Sequence, residues 1–277
     1  FYGKYGFSPS NIKRESVSFL LEYAYDDWCI ARMAQEMGKE DIYKKYIERS
    51  QNYINVFDGA TRFFRGKRMD GNWESPFNPL AVGRAYTEAT AWQYRFFVPH
   101  DVNGMIQLFG GKEEFVAALD DIFNTDAEIH GNLVDITGLI GQYVHGNEPS
   151  HHIAYLYNYV GEPWKTQKMS RRLLNEMYHP TPEGIIGNED CGQMSAWYIL
   201  SSMGLYSVCP GSNEYVLTTP LFEKVVVHLA NGRTLTILAN DPQKNIYITK
   251  VELNGKQIDT NFITYDCLMG GGELRFT

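Results

Sequence analysis

The hydrophobic pattern of this chain changes near Cys209-Pro210-Gly211, and the change limits the folds that the chain can adopt. Before this point apolar residues recur at helical spacing, as at Val17, Leu21 and Ala24. After it they alternate or run in short β-branched blocks, which is typical of strands. The chain is therefore predicted to be mainly α, with a helical portion over 1–208 and a C-terminal antiparallel β module over 209–277.

Helical hairpins joined by long loops are expected before residue 209. Such hairpins in series fit part of an (α/α)6 toroid, and because they are too few to close the ring, the remaining helices would precede residue 1. In the β module, Asn254-Gly255 predicts a type I′ hairpin. The predicted helices are Ser16 to Met37, Lys39 to Phe57, Thr87 to Phe97, Asp101 to Phe109, Lys112 to Phe123, His151 to Val160, Trp164 to Tyr178 and Met194 to Met203.

Charge and composition exclude several partners. The net charge is −8 and no basic block occurs, which argues against nucleic acid because a phosphate backbone demands a Lys/Arg patch. No apolar run reaches the roughly 18 residues that a membrane-spanning helix needs. The four cysteines are scattered without a CxxC pair, so no zinc ribbon is expected.

The stretch from His145 to His152 concentrates polar side chains in a loop between an apolar segment and a helix. One hypothesis is zinc held by His145, Glu148 and His151, but this spacing fits neither HExxH nor HxxEH, and Pro149 stops the three from sharing one regular helix face. Calcium suits the oxygen donors better: the Glu148 carboxylate, the Asn147 amide and loop carbonyls. The third interpretation is a helix cap at Ser150 with solvated histidines.

Glu88 is predicted to open a helix after a long loop. It is either a first-turn acid that complements the helix dipole or a general acid. A helix N-terminus lowers the pKa of a carboxyl group, whereas a general acid needs it raised. For Glu88 to act as the acid, burial among Tyr86, Trp92 and Tyr94, or a neighbouring carboxylate, would have to raise its pKa by more than the helix N-terminus lowers it.

Asp190 lies on a glycine-bounded loop, Gly187 to Gly192, that enters the next helix. It is either half of a capping box with Gln193 or a base aimed into a cleft. A toroid with its helix N-termini at one rim would gather this acid with the other two loops. Paired carboxylates across a cleft are what glycoside hydrolysis needs, so the residues alone indicate a carbohydrate-active enzyme and leave a metal open.

Four segments resemble signatures of glycoside hydrolase family 92. They are Ser16 to Ala34, Tyr86 to Asp101, His145 to Gln167 and Gly187 to Gly211, and the resemblance extends across nearly the whole chain. Members are calcium-dependent, inverting, exo-acting α-mannosidases that pair an N-terminal β-sandwich with an (α/α)6 catalytic domain. The resemblance implies the second half of that catalytic domain, so the β-sandwich and earlier helices are expected in the full-length protein.

Carried over to this chain, Glu88 matches the general acid and Asp190 the general base. Asn147, Glu148 and a backbone carbonyl, expected from Gly146, fall on the calcium-binding segment, where the ion would contact O2 and O3 of the terminal mannose. The expected substrate-binding and supporting residues are Gln142, Tyr143, Trp92, Gln93, His151, His152 and Glu189.

The sequence departs from the family pattern at two places. Ala89-Thr90 replaces Gly-Asn after the acid, which predicts altered support for Glu88. Gln142-Tyr143 stands where α-1,2-specific members carry His-Glu, which favours another linkage such as α-1,3.

The resemblance implies release of terminal mannose from α-mannosides of N-glycans or mannans by a periplasmic or secreted enzyme. Inversion requires the Glu88 and Asp190 carboxyls to lie roughly 6.5–9.5 Å apart. Two other functions stay open: a non-catalytic glycan-binding module, and another metal-dependent hydrolase that uses His145 and His151.

Overall fold

The computed structural model describes residues 1–131 and 135–277. The chain forms two compact units, Phe1–Ser150 and His151–Thr277. Within the described residues, no helix is long and apolar enough to cross a membrane. The division at 208/209 and the toroid remain predictions.

The first unit is built mainly from helices. Val17, Leu20, Leu21, Ala24 and Ala31 of the second helix are fully buried, and this helix packs on the third. The helices are α1 (Tyr2–Tyr5), α2 (Ser16–Glu36), α3 (Glu40–Arg49), α4 (Ala91–Tyr94), α5 (Val102–Phe109) and α6 (Lys112–Asn124), and the strands, paired as two short ribbons, are β1 (Phe57–Asp58), β2 (Phe63–Phe64), β3 (Leu139–Ile140) and β4 (Tyr143–Val144).

Two helices predicted in this unit are shorter than expected. The helix predicted over Lys39 to Phe57 ends at Arg49 and continues as a 3-10 helix, Ser50–Val56. The helix predicted from Thr87 begins only at Ala91, because Thr90 is extended and caps it. The prediction that Glu88 opens a helix is therefore wrong, and so is its interpretation as a first-turn acid.

The long loop after β2 is held by a half-buried carboxylate. Glu74 accepts hydrogen bonds from Ser10 (2.8 Å) and Arg84 (2.5 Å), and its backbone carbonyl accepts two from Arg65. These bonds tie the loop to the N-terminal segment and to Arg84, four residues before Glu88.

The second unit joins helices to two sheets. The segment predicted as a helix from His151 is a 3-10 helix, Ile153–Val160. The α-helices are α7 (Pro163–Glu176), α8 (Gln193–Ser202) and α9 (Tyr265–Met269), and the strands are β5 (Leu205–Tyr206), β6 (Glu214–Leu217), β7 (Lys224–His228), β8 (Thr234–Ala239), β9 (Val251–Leu253), β10 (Lys256–Ile258), β11 (Phe262–Thr264) and β12 (Gly272–Phe276).

The β module contains a three-stranded sheet, β11-β6-β5, and a five-stranded sheet, β10-β9-β12-β8-β7. Their shared core includes Ile237, Val251, Leu274 and Phe276. The Asn254-Gly255 hairpin is confirmed: both residues have positive φ, 51° and 76°, and Leu253 pairs with Lys256.

The expectation of a purely antiparallel module is wrong for one pair. β12 runs parallel to β8, with Leu274 opposite Ile237. A tight hairpin would force antiparallel pairing, but β12 follows helix α9, so its direction is not fixed by a turn.

Candidate active site

Glu88 lies on a sharply bent segment between the long loop and α4. Its φ is +51°, in the left-handed region that a glutamate rarely adopts, and its side chain is exposed. Burial among Tyr86, Trp92 and Tyr94 is therefore not what could raise the pKa of this carboxyl, and a neighbouring carboxylate stays the other possible cause. The carboxyl of Glu88 nevertheless lies close enough to Tyr94 for its charge to raise the pKa of that hydroxyl.

The residues around Glu88 are each fixed by a hydrogen bond to another segment. The amide of Thr87 donates to Ser18 Oγ of α2 (2.9 Å), and the amide of Gly83 donates to the Ala89 carbonyl (2.9 Å). The carbonyl of Glu88 itself accepts from Asn147 Nδ2 (3.0 Å). These bonds hold the left-handed turn from three directions.

Gln93 also forms hydrogen bonds that support this loop. Its Oε1 accepts from the Thr90 amide (2.7 Å) in a capping box, and its Nε2 donates to the Gln142 carbonyl (2.6 Å). Trp92 packs edge-on against Phe63, with ring centroids 5.0 Å apart. Gln93 thus contacts the acid loop directly, whereas support by Trp92, and contact of either residue with substrate, stay predictions.

Gln142 and Tyr143 are both buried in the β3–β4 ribbon. The side-chain Nε2 of Gln142 donates to the backbone carbonyls of Thr125 (3.1 Å) and Ala127 (2.8 Å). The Tyr143 hydroxyl forms a hydrogen bond with His145 Nδ1 (2.8 Å). The Gln142 side-chain nitrogen and the Tyr143 hydroxyl thus contact protein, and direct sugar contact by either residue stays a prediction.

Gly146, Asn147 and Glu148 form the turn that follows β4. The Gly146 amide donates to the Thr137 carbonyl (3.1 Å), and a Cβ at position 146 would lie 2.1 Å from Thr137 Oγ1. Only glycine fits this close approach. Asn147 is 6% exposed, and its Oδ1 accepts from the Glu148 amide (3.2 Å).

The donors on this turn suit a hard cation. They are one carboxylate, one amide oxygen and backbone carbonyls, and the amide oxygen keeps a second lone pair. Across residues 1–131 and 135–277, no group of three His, Cys, Asp or Glu side chains is arranged to share a metal. The ring of His145 is fully buried beside Tyr143. The oxygen donors of this turn fit calcium better than zinc, which prefers imidazole and thiolate ligands.

Glu22 of α2 is a site residue that the sequence interpretation missed. Burial raises the pKa of its carboxyl to about 7, with further contributions from the charges of Asp26 and Glu148. Burial also raises the pKa of the Tyr94 hydroxyl, and Glu22, Glu88 and Glu148 raise it further. Carboxylates from three separate segments thus gather near one tyrosine.

A sequence signal for Glu22 exists in the spacing of polar residues on α2. Ser18, Glu22 and Asp26 recur every four residues along α2, which places them on one face. Ser18 bonds the acid loop, so the next turn of the same face carries Glu22 toward it.

In the second unit, Asp190 also has a left-handed backbone, with φ of +50°, and an exposed side chain. The N-cap of α8 is Gly192, so the capping box of Asp190 with Gln193 is wrong. Glu189, and not Asp190, caps the start of α8. Its carboxylate accepts hydrogen bonds from the backbone amides of Gly192 (2.5 Å) and Ser195 (3.0 Å).

Hydrogen bonds from Ser195 lower the pKa of Glu189, which keeps this acid ionised as a helix cap. Its contact with substrate stays a prediction. The side chain of Asp190 is exposed to solvent.

His151 and His152 are buried in the second unit. His151 Nδ1 lies 3.2 Å from Gln193 Nε2, and the His151 carbonyl accepts from the Trp197 indole (3.0 Å). These contacts fix the start of the 3-10 helix against α8. The expected place of both histidines around the metal stays a prediction.

Known proteins resemble this chain in sequence and in fold. A secreted glycosidase of Arthroderma benhamiae, itself uncharacterized, is 31% identical to the chain over 99% of its residues. The chain spans only 37% of that protein's length.

Solved structures of other proteins also match the chain. The family GH92 α-mannosidase BT3965 of Bacteroides thetaiotaomicron, in complex with mannoimidazole, matches 99% of the chain with TM-score 0.94 and 41% identity. The family GH92 inverting mannosidase BT2199 of the same organism matches 100% of it, with TM-score 0.90 and 39% identity. The chain covers 37% and 39% of those two chains. The glycosyl hydrolase family 92 catalytic domain matches residues 1–277, and the chain therefore belongs to this family.

Proposed function

We propose that the full-length protein is an inverting, calcium-dependent, exo-acting α-mannosidase that releases terminal mannose from mannose-rich glycans. The observation that carries this proposal is the left-handed backbone at Glu88 and at Asp190. Each is an exposed carboxylate on a loop that the surrounding hydrogen bonds hold rigidly. Backbone strain of this kind persists where the surroundings over-determine it, and it clusters at active sites.

The two carboxyls take different roles. Glu88 donates a proton to the glycosidic oxygen as the bond to the leaving sugar breaks, and Asp190 accepts a proton from the attacking water. The attack from the opposite face inverts the anomeric centre. The inverting mannosidase BT2199, whose sequence is 39% identical, supports this assignment.

Glu148, Asn147 and the carbonyl of Gly146 are the residues that would hold calcium. When bound, the ion supplies positive charge for the hydroxyls of the terminal sugar. Asn147 and Glu148 adjoin the acid loop through the bond to the Glu88 carbonyl, so the sugar-binding and proton-donating groups share one support.

The substrate class rests on the α-mannosidase BT3965 and its mannoimidazole complex. For linkage, we propose α-1,3, from Gln142-Tyr143 in place of His-Glu. The full-length protein is proposed to carry an N-terminal β-sandwich and the helices that complete an (α/α)6 toroid. We place it in the periplasm or outside the cell, since the Arthroderma relative is described as secreted.

The test is mannose release by the full-length protein from α-1,2-, α-1,3- and α-1,6-linked mannobiose, with and without EDTA. Proton NMR of the first product identifies the anomer, and β-mannose is the expected one. Calcium, and not zinc, should restore activity after chelation.

Two outcomes would contradict the proposal. Binding of mannosides without release of mannose would indicate a glycan-binding module. Restoration by zinc alone would indicate a hydrolase that uses His145 and His151.

A further inference from the structure

We propose that Asn147 positions the general acid as well as contributing an oxygen to the calcium segment. This inference rests on the proposed function. It gives Asn147 a role that acts through the backbone of Glu88, separate from any contact with the cation.

The hydrogen bonds of Asn147 fix the direction of its amide. Oδ1 accepts from the Glu148 amide at 3.2 Å, and Nδ2 donates to the Glu88 carbonyl at 3.0 Å. Because one partner is a donor and the other an acceptor, a flipped amide would lose both bonds. With only 6% of its surface exposed, Asn147 holds this orientation without competition from solvent.

The bond matters because Glu88 stands in a conformation that its own side chain disfavours. Its φ of +51° is a strained value for a glutamate, and such strain needs support from the surroundings. The neighbouring bonds hold Thr87 and Ala89, whereas the bond from Asn147 holds the peptide of Glu88 itself. Loss of this donor would let the peptide rotate and swing the carboxyl away from the leaving oxygen.

The substitution Asn147→Asp separates the two roles of the side chain. An aspartate keeps oxygen for calcium and adds charge, so calcium affinity should be retained or increased. It has no N–H to donate, and it turns a carboxylate oxygen toward the Glu88 carbonyl, so the acid should be displaced. If Asn147 served only as a calcium ligand, Asn147→Asp would not lower turnover while calcium affinity is retained.

The experiment uses the full-length protein and measures two quantities. Calcium affinity is measured by calorimetry with the metal alone, and kcat is measured on mannobiose and on dinitrophenyl α-mannoside. We expect N147D to lower kcat on mannobiose by about 10-fold or more and on the dinitrophenyl substrate by less than about 3-fold, because only the poor leaving group needs the proton. Calcium affinity should stay within about 3-fold or rise.

Asn55→Asp is the matched control. Asn55 Nδ2 also donates to a backbone carbonyl at 3.0 Å, that of Gly6, in the same unit. N55D should leave the ratio of the two kcat values unchanged. In a Glu88→Gln background N147D should cost little further on mannobiose, because both changes remove the same proton transfer.

Equal loss on both substrates, an unchanged kcat on mannobiose, full additivity with Glu88→Gln or a calcium affinity weakened beyond about 10-fold would each overturn the inference. If N147D does not fold, Asn147→Ala replaces it and the ratio of the two kcat values decides. A wild-type protein that releases no mannose would instead reject the proposed function, so the two failures are distinguishable.

Discussion

At the scale of single residues, the site concentrates strain where a carboxylate must be aimed. A left-handed backbone costs a non-glycine residue on the order of 1–3 kcal/mol, and Glu88 and Asp190 both adopt it. A glycine at either position would be more stable and would carry no proton chemistry. The stability lost there is consistent with selection for a fixed side-chain direction.

Glu88→Ala should lower kcat by about 100-fold or more on mannobiose but only slightly on dinitrophenyl α-mannoside. Leaving-group protonation is the only step that the substitution removes. The measurement is kcat on both substrates in the full-length protein. An equal loss on both would contradict the acid role.

Asp190→Ala and Asp190→Gly should both abolish turnover on every leaving group, because water activation is lost in each. They should differ in stability: the free energy of unfolding of the glycine variant should be higher by about 1 kcal/mol, and its melting temperature correspondingly higher, since glycine adopts positive φ freely. Calorimetry measures the difference. Equal melting temperatures would show that the left-handed turn is not strained.

At the scale of elements, the site depends on close approaches between a turn and its neighbour. Gly146→Ala should cost about 1–3 kcal/mol, because the added methyl meets Thr137 Oγ1 at 2.1 Å. It should also weaken calcium binding by displacing Asn147 and Glu148. Adding Thr137→Ala to the Gly146→Ala variant should restore part of the free energy of unfolding and part of the calcium affinity. Urea unfolding measures the first, and calorimetry measures the second.

Gly59→Ala is the control for that pair, since a Cβ there would meet no atom within 4 Å. A Gly146→Ala variant as stable as Gly59→Ala would contradict the predicted clash.

Elements with strong periodicity could be predicted from the sequence, and strained loops could not. α2 ends one residue from its prediction because its buried stripe determines it. The start of α4 was predicted too early, because nothing local shows that the Glu88 carbonyl is taken by Asn147. Glu22 was missed because its place in the site depends on Glu148, which is distant in sequence and which only the fold brings near it.

At the scale of the whole molecule, stability should fall in mild acid. His100 is half-buried between Tyr25 and Tyr53, with Nε2 3.0 Å from the Ser50 carbonyl, and the loss of solvent around its ring lowers its pKa. Because the folded pKa lies below the unfolded one, stability is full above the unfolded value, about 6.5. It is lost as pH falls through that value toward the lowered pKa.

His100→Gln should therefore flatten the fall in the free energy of unfolding between about pH 7 and about pH 5. Urea denaturation across that range measures it. His228→Gln, at an exposed strand position, is the control. A slope for His100→Gln equal to that of the wild type would contradict the prediction.

The parallel strand β12 has a consequence for how the protein is made. β12 lies in the middle of its sheet, between β9 and β8, although it is the last of those strands along the chain. During synthesis the hairpins β7–β8 and β9–β10 can each form from neighbouring residues, but each keeps an open edge until β12 emerges from the ribosome. A ribosome that stalls before Gly272 would leave two half-sheets with unpaired edges, a template for aggregation.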